Sequence, residues 1–326
     1  MPQTTRRALL ALGAAGLAAP ALGQGAFPSR TINIIVPFAA GGPTDTVTRL
    51  SAEAMGRDLG QTVVVENVGG AGGTLGAARV AQARPDGYTL LLHHIGMATA
   101  PSLYRRLPYD AVNGFETIGL VTEVPMTLVA RKDFPANTLA EAVAVIKRDK
   151  DKLNYANAGI GAASHLCGLL LMKAVGTAMT TVPFRGTGPA IQELLSGRVD
   201  LMCDQTTNTT EQIRSGDIKV FNVTTAERVQ SLSNVPTAKE AGLPEFEVSV
   251  WHGLYAPKGT PAEVQQRLSR ALQAALRDEK LISRFADLGT APVAQDRATP
   301  EAHRRFWQAD IAKWKPIIQA AGQFAD

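Results

Sequence analysis

The stretch Ile34–Arg49, IIVPFAAGGPTDTVTR, decides the fold of this chain. It overlaps an apolar run, Ile32–Val36, that predicts a buried strand. Pro37 ends that strand, and Gly41–Gly42 allow the backbone a tight turn before a helix begins. The first amide groups of a helix have no partner inside it, and together with the helix dipole they favour an anion. The stretch therefore predicts an anion-binding turn, with an ordinary tight turn as the alternative.

A second stretch of the same kind lies at Asn154–His165, NYANAGIGAASH. It also runs from a strand through glycines into a helix, and Gly159 and Gly161 would let the backbone approach a ligand closely. The donors expected to be free in the first helical turn are the amides of Ala162, Ala163 and Ser164. Two separated helix starts therefore predict two sites for negative charge.

The second stretch nearly matches a dinucleotide fingerprint through the spacing of Gly159, Gly161 and Ser164. That fingerprint requires an acidic residue at the end of the next strand. The next strand ends in Val182–Gly186, VPFRG, which contains none. We therefore expect no dinucleotide and no other cofactor.

Composition indicates an exported globular protein. The chain has 326 residues, 45% of them hydrophobic and 19% charged, which suffices for a sizeable core and two lobes. Its net charge of +4 comes without a long Lys/Arg cluster, which does not favour nucleic acid. Paired arginines at Arg6–Arg7, followed by a short apolar run, predict a signal peptide over residues 1–23, with twin-arginine character and a periplasmic destination. A membrane anchor is disfavoured because the run is short and rich in Ala and Gly.

The remaining chain alternates between strand-like and helix-like segments. The order β-α-β-α-β up to Tyr88–His93 implies a parallel sheet with helices on both faces. A second series of this kind follows and ends with a strand at Ile218–Thr224, after a helix predicted over Thr209–Ser215. Glu247–Ala256 predicts a long strand that crosses back to the first lobe. The sequence thus predicts an α/β fold of two lobes, each a mostly parallel sheet flanked by helices.

Two other features of the chain carry expectations. Phe115–Val121 and Met126–Ala130 are predicted as two separate strands where the chain leaves the first lobe. Cys167 and Cys203 both fall in the second lobe, where an oxidising compartment permits a disulfide. Two unpaired buried cysteines are nevertheless the expected state.

Three charged residues are candidates for the site. Arg185 and Asp204 follow strand ends, where ligands bind in open α/β sheets. Arg185 would pair with a carboxylate, or would be an exposed turn residue. Asp204 would orient a ligand or water, or would cap the segment Thr206–Thr210. Asp45 would brace the loop Gly41–Gly42 or accept a donor group of the ligand.

Catalytic and metal-binding motifs are absent from the sequence. It contains no Walker sequence, no Gly-x-Ser-x-Gly, no Cys-x-x-Cys and no His-x-x-x-His. His93 and His94 are adjacent on a predicted strand, and their side chains should point to opposite faces rather than form a chelating pair. His165 is expected to brace its helix by a hydrogen bond rather than to act as a base. We therefore expect neither a metal nor enzymatic activity.

Several motifs together resemble the periplasmic binding proteins of tripartite tricarboxylate transporters, the Bug family. The resemblance covers essentially the whole chain after the signal segment, and the motifs occur in order. They are PFxxGGxxD from Pro37, NxxGAGG from Asn67, PDGYTL from Pro85, PSLY from Pro101, AGxGxxSHL from Ala158, PFRG from Pro183, GRVD from Gly197 and VPT from Val235.

The resemblance implies a two-lobed "Venus flytrap", with residues 24–124 and 250–326 in lobe 1 and residues 125–249 in lobe 2. It implies two jaws that each clasp one carboxylate through backbone amides and bridging waters. The residues concerned are Phe38, Gly41, Gly42, Thr44 and Asp45 in one jaw, and Gly159, Gly161, Ala162, Ala163 and Ser164 in the other. Ala162 departs from the family, which commonly has Ser or Thr there. His93–Ile95 lies where the family's pocket wall varies and would shape the pocket.

The function implied is capture of a small organic carboxylate in the periplasm. Dicarboxylates, tricarboxylates, amino acids and aromatic acids would all offer an anionic end to the two helix starts. The expected partners are the membrane subunits of a tripartite tricarboxylate transporter, without nucleic acid. Two alternatives stay open: an exported enzyme acting on a carboxylate, and a receptor that presents its closed form to a membrane sensor protein.

Overall fold

The computed structural model describes residues 27–321, so the predicted signal segment lies outside the described residues. Its strands are β1 Ile32–Val36, β2 Val63–Asn67, β3 Thr89–His94, β4 Phe115–Arg131, β5 Asn154–Asn157, β6 Thr180–Pro183, β7 Leu201–Gln205, β8 Ile218–Val223, β9 Ser249–Pro257 and β10 Ala291–Pro292. Its α-helices are α1 Pro43–Leu59, α2 Thr74–Ala81, α3 Gly96–Leu103, α4 Leu139–Asp149, α5 Ala163–Val175, α6 Thr187–Leu195, α7 Thr206–Ser215, α8 Ala262–Ala275, α9 Glu279–Asp287 and α10 Pro300–Ala321. Within this range, no helix has both the length and the apolar character needed to cross a bilayer.

The strands form two lobes that share β4. Lobe 1 has the order β2-β1-β3-β9-β4, with β10 added to β4, and lobe 2 has the order β6-β5-β7-β4, with β8 added to β4. The first three strands of each lobe are parallel, whereas β9 and β4 pair antiparallel with their neighbours. Each lobe is therefore a mixed sheet with a parallel part. The helix that follows each parallel strand begins at the carboxyl end of that strand, which gathers the helix starts at the face between the lobes.

The predicted break between two strands near Val121 is wrong, because β4 is continuous. Its first part, Phe115–Pro125, pairs with β9, and its last part, from Met126, pairs with β7 and β8. The polar residues between the two predicted strands, Thr122 and Glu123, have partners. The Thr122 hydroxyl lies 2.6 Å from that of Thr290, and Glu123 forms an ion pair with Arg297. A polar stretch can thus stay in a strand when neighbouring elements supply its hydrogen bonds.

The expectation of two unpaired cysteines is also wrong. Cys167 on α5 and Cys203 on β7 form a disulfide, with their Cα atoms 6.0 Å apart. Helix α5 packs directly on β7, and both cysteines are fully buried. The helix predicted from Thr209 begins earlier, at Thr206, because it starts directly after β7 ends at Gln205.

The disulfide yields a prediction about stability. Replacing both cysteines with alanine should lower the free energy of unfolding by about 3–4 kcal/mol, because the bond closes a loop of 36 residues and so restricts the unfolded chain. Urea denaturation followed by circular dichroism measures this loss. Unfolding of the wild type in dithiothreitol should show the same lower midpoint. Identical midpoints with and without the reductant would contradict the prediction.

Candidate ligand-binding site between the lobes

The first jaw is braced by the carboxylate of Asp45. One oxygen accepts a hydrogen bond from the Gly41 amide at 3.0 Å, and the other accepts from Nδ2 of Asn67 at 2.9 Å. Arg49 forms an ion pair with the same carboxylate at 2.9 Å. Burial alone would raise the pKa of Asp45, but the hydrogen bonds from Arg49, Gly41 and Asn67 hold it below its ordinary value. An ionised Asp45 therefore fixes the loop, which is one of its two predicted roles.

Helix α1 begins with free donors beside this loop. Among the described residues, none accepts a hydrogen bond from the amides of Thr44 or Asp45. The Thr44 hydroxyl lies 3.3 Å from Nε2 of His252, on the crossing strand β9. The start of α1 thus offers backbone donors, and the Thr44 hydroxyl is positioned from a strand of the same lobe.

The second jaw is held by hydrogen bonds from its own helix and strand. They run from Gly159 N to Asn157 Oδ1 at 2.9 Å, from Ala158 N to Ser164 Oγ at 2.8 Å and from Gly161 N to His165 Nδ1 at 3.3 Å. Burial lowers the pKa of His165 to about 4, so this side chain is a neutral brace at pH 7, as predicted.

The expectation that Ala162 offers a free amide is wrong. This amide donates to the carbonyl of Gly159 at 3.1 Å, because the glycine loop closes into a turn before the helix begins. The amides of Ala163 and Ser164 have no acceptor among the described residues. Of the three amides predicted to be free, these two therefore remain.

The two jaws face each other across a cavity of about 20 Å³. The residues that line it come from both lobes: Phe38, Gly42, Pro43, Thr44 and His94 from lobe 1, and Ala158, Ala163, Ser164, Thr187, Asp204 and Gln205 from lobe 2. Such a volume holds about one water molecule. The structure is therefore a closed form in which the lobes leave no room for a larger molecule.

Direct contacts hold the lobes together at the rim of this cavity. The Ala39 amide donates to the carbonyl of Arg185 at 3.0 Å. The Tyr104 hydroxyl lies 2.6 Å from the carbonyl of Ile160. Phe38 packs with Ala158 and other small apolar residues of the second jaw. The closed form is thus stabilised by backbone and apolar contacts.

Arg185 is exposed and lies outside the cavity. It lines an outer groove of about 570 Å³ with Gly72, Tyr104 and Ile160. The sequence predicts that Arg185 either pairs with a carboxylate or is an exposed turn residue, and the structure shows it exposed. No residue that lines the cavity carries a permanent positive charge, so any anion there would be held by neutral donors such as backbone amides.

Asp204 lies at the end of β7 and is 1% exposed. Its carboxylate accepts hydrogen bonds from the Gln205 amide at 2.8 Å, from Asn208 Nδ2 at 2.5 Å and from the Thr187 hydroxyl. Burial outweighs these hydrogen bonds and raises its pKa to about 7. Asp204 therefore holds the start of α7 through the Gln205 amide and the Asn208 side chain rather than through a helical amide. It also places an acid of near-neutral pKa in the cavity wall.

His94 forms the opposite wall as a neutral donor. Its Nδ1 accepts a hydrogen bond from the Gly96 amide at 3.0 Å, which assigns the ring proton to Nε2. Burial lowers the pKa of His94 to about 3, and the ring stacks on Phe38 at 4.7 Å. In the described part of the chain, no group of three His, Cys, Asp or Glu side chains is arranged to hold a metal ion.

Sequence reasoning did not select Thr187 and Gln205 as site residues. Gln205 ends β7 and is the N-cap residue of α7. Thr187 is the first residue of α6, with residues 184–186 between it and the end of β6. The rule that ligands bind at the carboxyl ends of strands would have selected them too. No sequence motif surrounds Thr187 or Gln205, so nothing else in the sequence marked them as site residues.

Comparison with known proteins gives one consistent result. A family model described as "Tripartite tricarboxylate transporter family receptor" matches residues 47–323. A protein from the TAR-I ttuE-ttuC' intergenic region of Agrobacterium vitis is 52% identical over 92% of this chain and 87% of its own.

Solved structures agree with this match. The periplasmic binding protein BugD is 50% identical, with a TM-score of 0.90 over 92% of this chain and all of its own. MatC of Rhodopseudomonas palustris, solved with bound malate, is 42% identical, with a TM-score of 0.87 over 90% of this chain and all of its own. An R. palustris protein solved with adipate is 31% identical, with a TM-score of 0.86 over 91% of this chain and 98% of its own.

Asp204 yields a prediction about pH. Between pH 3.8 and about 7, the folded protein keeps a proton that the unfolded chain has lost, so stability falls as the pH rises through this window. The variant Asp204→Asn has no carboxyl group at this position to titrate, so it does not lose this stability as the pH rises. Its gain in unfolding free energy over wild type should be roughly 3 kcal/mol larger at pH 8 than at pH 5. Urea denaturation at the two pH values measures it, and an equal difference at both would contradict the prediction.

Proposed function

Since this chain belongs to the tripartite tricarboxylate transporter receptor family, we propose that it is a periplasmic receptor for a small organic carboxylate. It binds the ligand between its lobes and delivers it to the membrane subunits of a tripartite tricarboxylate transporter. The observation that carries this proposal is the pair of helix starts, α1 and α5, whose free amides face one another across the closed cavity. Each helix start suits one carboxylate.

The ligand class follows from the cavity and from the relatives. Relatives were solved with malate and with adipate, both of which are dicarboxylates. The walls of this cavity offer backbone amides, hydroxyls and a neutral histidine rather than fixed cations. Donors of this kind bind a carboxylate without the strong attraction of a buried ion pair, which suits a receptor that must release its ligand.

Binding requires the lobes to open and then to close around the ligand in a slightly wider arrangement, because the cavity seen here is smaller than any dicarboxylate. A ligand favours the closed form only to the extent that it makes more contacts there than in the open form. The hinge that we propose lies where β4 and β9 pass between the lobes, near residues 125 and 249. The predicted division of the chain at residues 124/125 and 249/250 places the lobe boundary at the same points.

Binding without turnover is the function that these features favour. The family and the solved relatives are receptors, and two of those structures carry bound carboxylates. The histidines near the cavity are buried and have lowered pKa values, which makes them poor general bases at neutral pH. We therefore propose that the chain captures its ligand and does not transform it.

A thermal-shift screen tests the proposal directly. The purified mature protein is unfolded with malate, adipate, citrate, aspartate or benzoate present in excess. A ligand that binds only the folded state at about 100 times its dissociation constant adds about 2.7 kcal/mol of stability. At least one of these acids should therefore raise the melting temperature by several degrees. A melting temperature unchanged by every carboxylate would contradict the receptor function.

Gly188→Ala tests closure separately. Gly188 lies in the first turn of α6, and a Cβ there would lie 2.7 Å from the carbonyl oxygen of Ala40 in the other lobe. Alanine is favoured over glycine inside a helix by roughly 1 kcal/mol, so the variant should fold as well as wild type. Its affinity for the acid found in the screen should fall by at least about tenfold, because closure is blocked.

Isothermal titration calorimetry measures the loss of affinity in Gly188→Ala. Gln192→Ala, at an exposed position on the same helix, is the matched control and should bind like wild type. Wild-type affinity in Gly188→Ala would show that ligand binding does not require the observed approach of the lobes.

A further inference from the structure

The cavity has two sides with different hydrogen-bonding character. Its donors are the free amides at the starts of α1 and α5 and the Nε2–H of His94. These groups suit the oxygens of a carboxylate. Its acceptors lie together at the end of β7, in Asp204 and Gln205. A ligand that donates hydrogen bonds as well as accepting them therefore uses both sides of the cavity.

Gln205 is an acceptor that the fold itself does not use. Its side chain is 3% exposed, and Oε1 is buried without a hydrogen-bond partner among the described residues. Gln205 is also the N-cap residue of α7, yet its side chain makes no capping hydrogen bond. A buried polar atom without a partner is costly, and in a ligand cavity the ligand is the natural source of the missing donor.

The ionised form of Asp204, which predominates above about pH 7, adds a second acceptor beside it. Its oxygens already accept from the Gln205 amide and from Asn208, and each carboxylate oxygen has a further lone pair. An unsubstituted dicarboxylate has only acceptors along its length and would place them against this wall. A hydroxyl or ammonium group on the ligand would instead donate to Gln205 Oε1 or to Asp204.

We infer that the site selects carboxylates that carry a hydroxyl or ammonium donor on their chain, and that Gln205 is the residue that recognises this donor. The inference rests on the proposed receptor function and narrows its ligand class. It assigns a role to a side chain that no motif in the sequence marks.

Calorimetric titration with three four-carbon dicarboxylates tests the inference. Succinate has no donor, L-malate has a hydroxyl and L-aspartate has an ammonium group. Wild type should bind malate or aspartate at least about tenfold more tightly than succinate, since one net hydrogen bond is worth about that factor. The comparison of malate with aspartate identifies which donor the site prefers.

Gln205→Met keeps the length of the side chain but cannot accept a strong hydrogen bond. In this variant the preference for malate or aspartate over succinate should fall to within about threefold. Gln212→Met is the matched control, because Gln212 lies on the same helix, also has a buried Oε1 without a partner, and does not line the cavity. It should keep the full preference.

Three outcomes would overturn the inference. The first is wild-type succinate binding as tight as that of both substituted acids. The second is an equal loss of affinity for all three acids in Gln205→Met, which would indicate a structural role. The third is binding of none of the three while another carboxylate stabilises the protein, which would leave the receptor function standing. If no carboxylate stabilises the protein, the receptor function and the inference both fail.

Discussion

The closed form depends on how closely two backbones approach one another between the lobes. A Cβ on Gly72 would overlap the carbonyl of Ile160, and one on Gly42 would lie 3.3 Å from the Thr187 hydroxyl. Side chains at these points would hold the lobes apart and keep the helix starts from sharing one cavity. The glycines that allow the turns in each jaw also make this approach possible. The geometry of anion binding and the geometry of closure therefore rest on the same few positions.

Electrostatics in the site follow from this close approach. Once water is excluded, a fixed positive charge in the cavity wall would need a permanent partner. The residues that line the cavity include no lysine or arginine. The charged groups near the jaws serve other purposes. Asp45 is ionised and braces its loop, while Arg185 remains in solvent. In the proposed receptor, an anion is recognised by oriented amides, whose partial charges need no counter-ion when the cavity is empty.

Local features were predictable from the sequence, and features that depend on distant contacts were not. The capping box of α4 can be read from its sequence, Thr138-Leu139-Ala140-Glu141, because Thr138 and Glu141 satisfy each other within one turn. The start of α5 was predicted from the glycines before it. The continuity of β4 was missed because the partners of Thr122 and Glu123 lie more than 160 residues away. The disulfide was missed because spacing does not show that α5 packs on β7. Gln205 was missed because an unpaired acceptor can be identified only once its surroundings are known.

The disulfide has a consequence for how the second lobe meets its ligand. Cys167 comes one turn after the free amides of α5, and Cys203 directly precedes Asp204. The covalent bond thus ties the donor group and the acceptor wall of this lobe into one rigid unit. The conformational entropy of arranging the two against each other is lost when the chain folds and oxidises, rather than when the ligand arrives. Lobe 2 therefore presents a preorganised half of the site. The conformational freedom that the proposed ligand still has to restrict is the movement of the two lobes relative to each other.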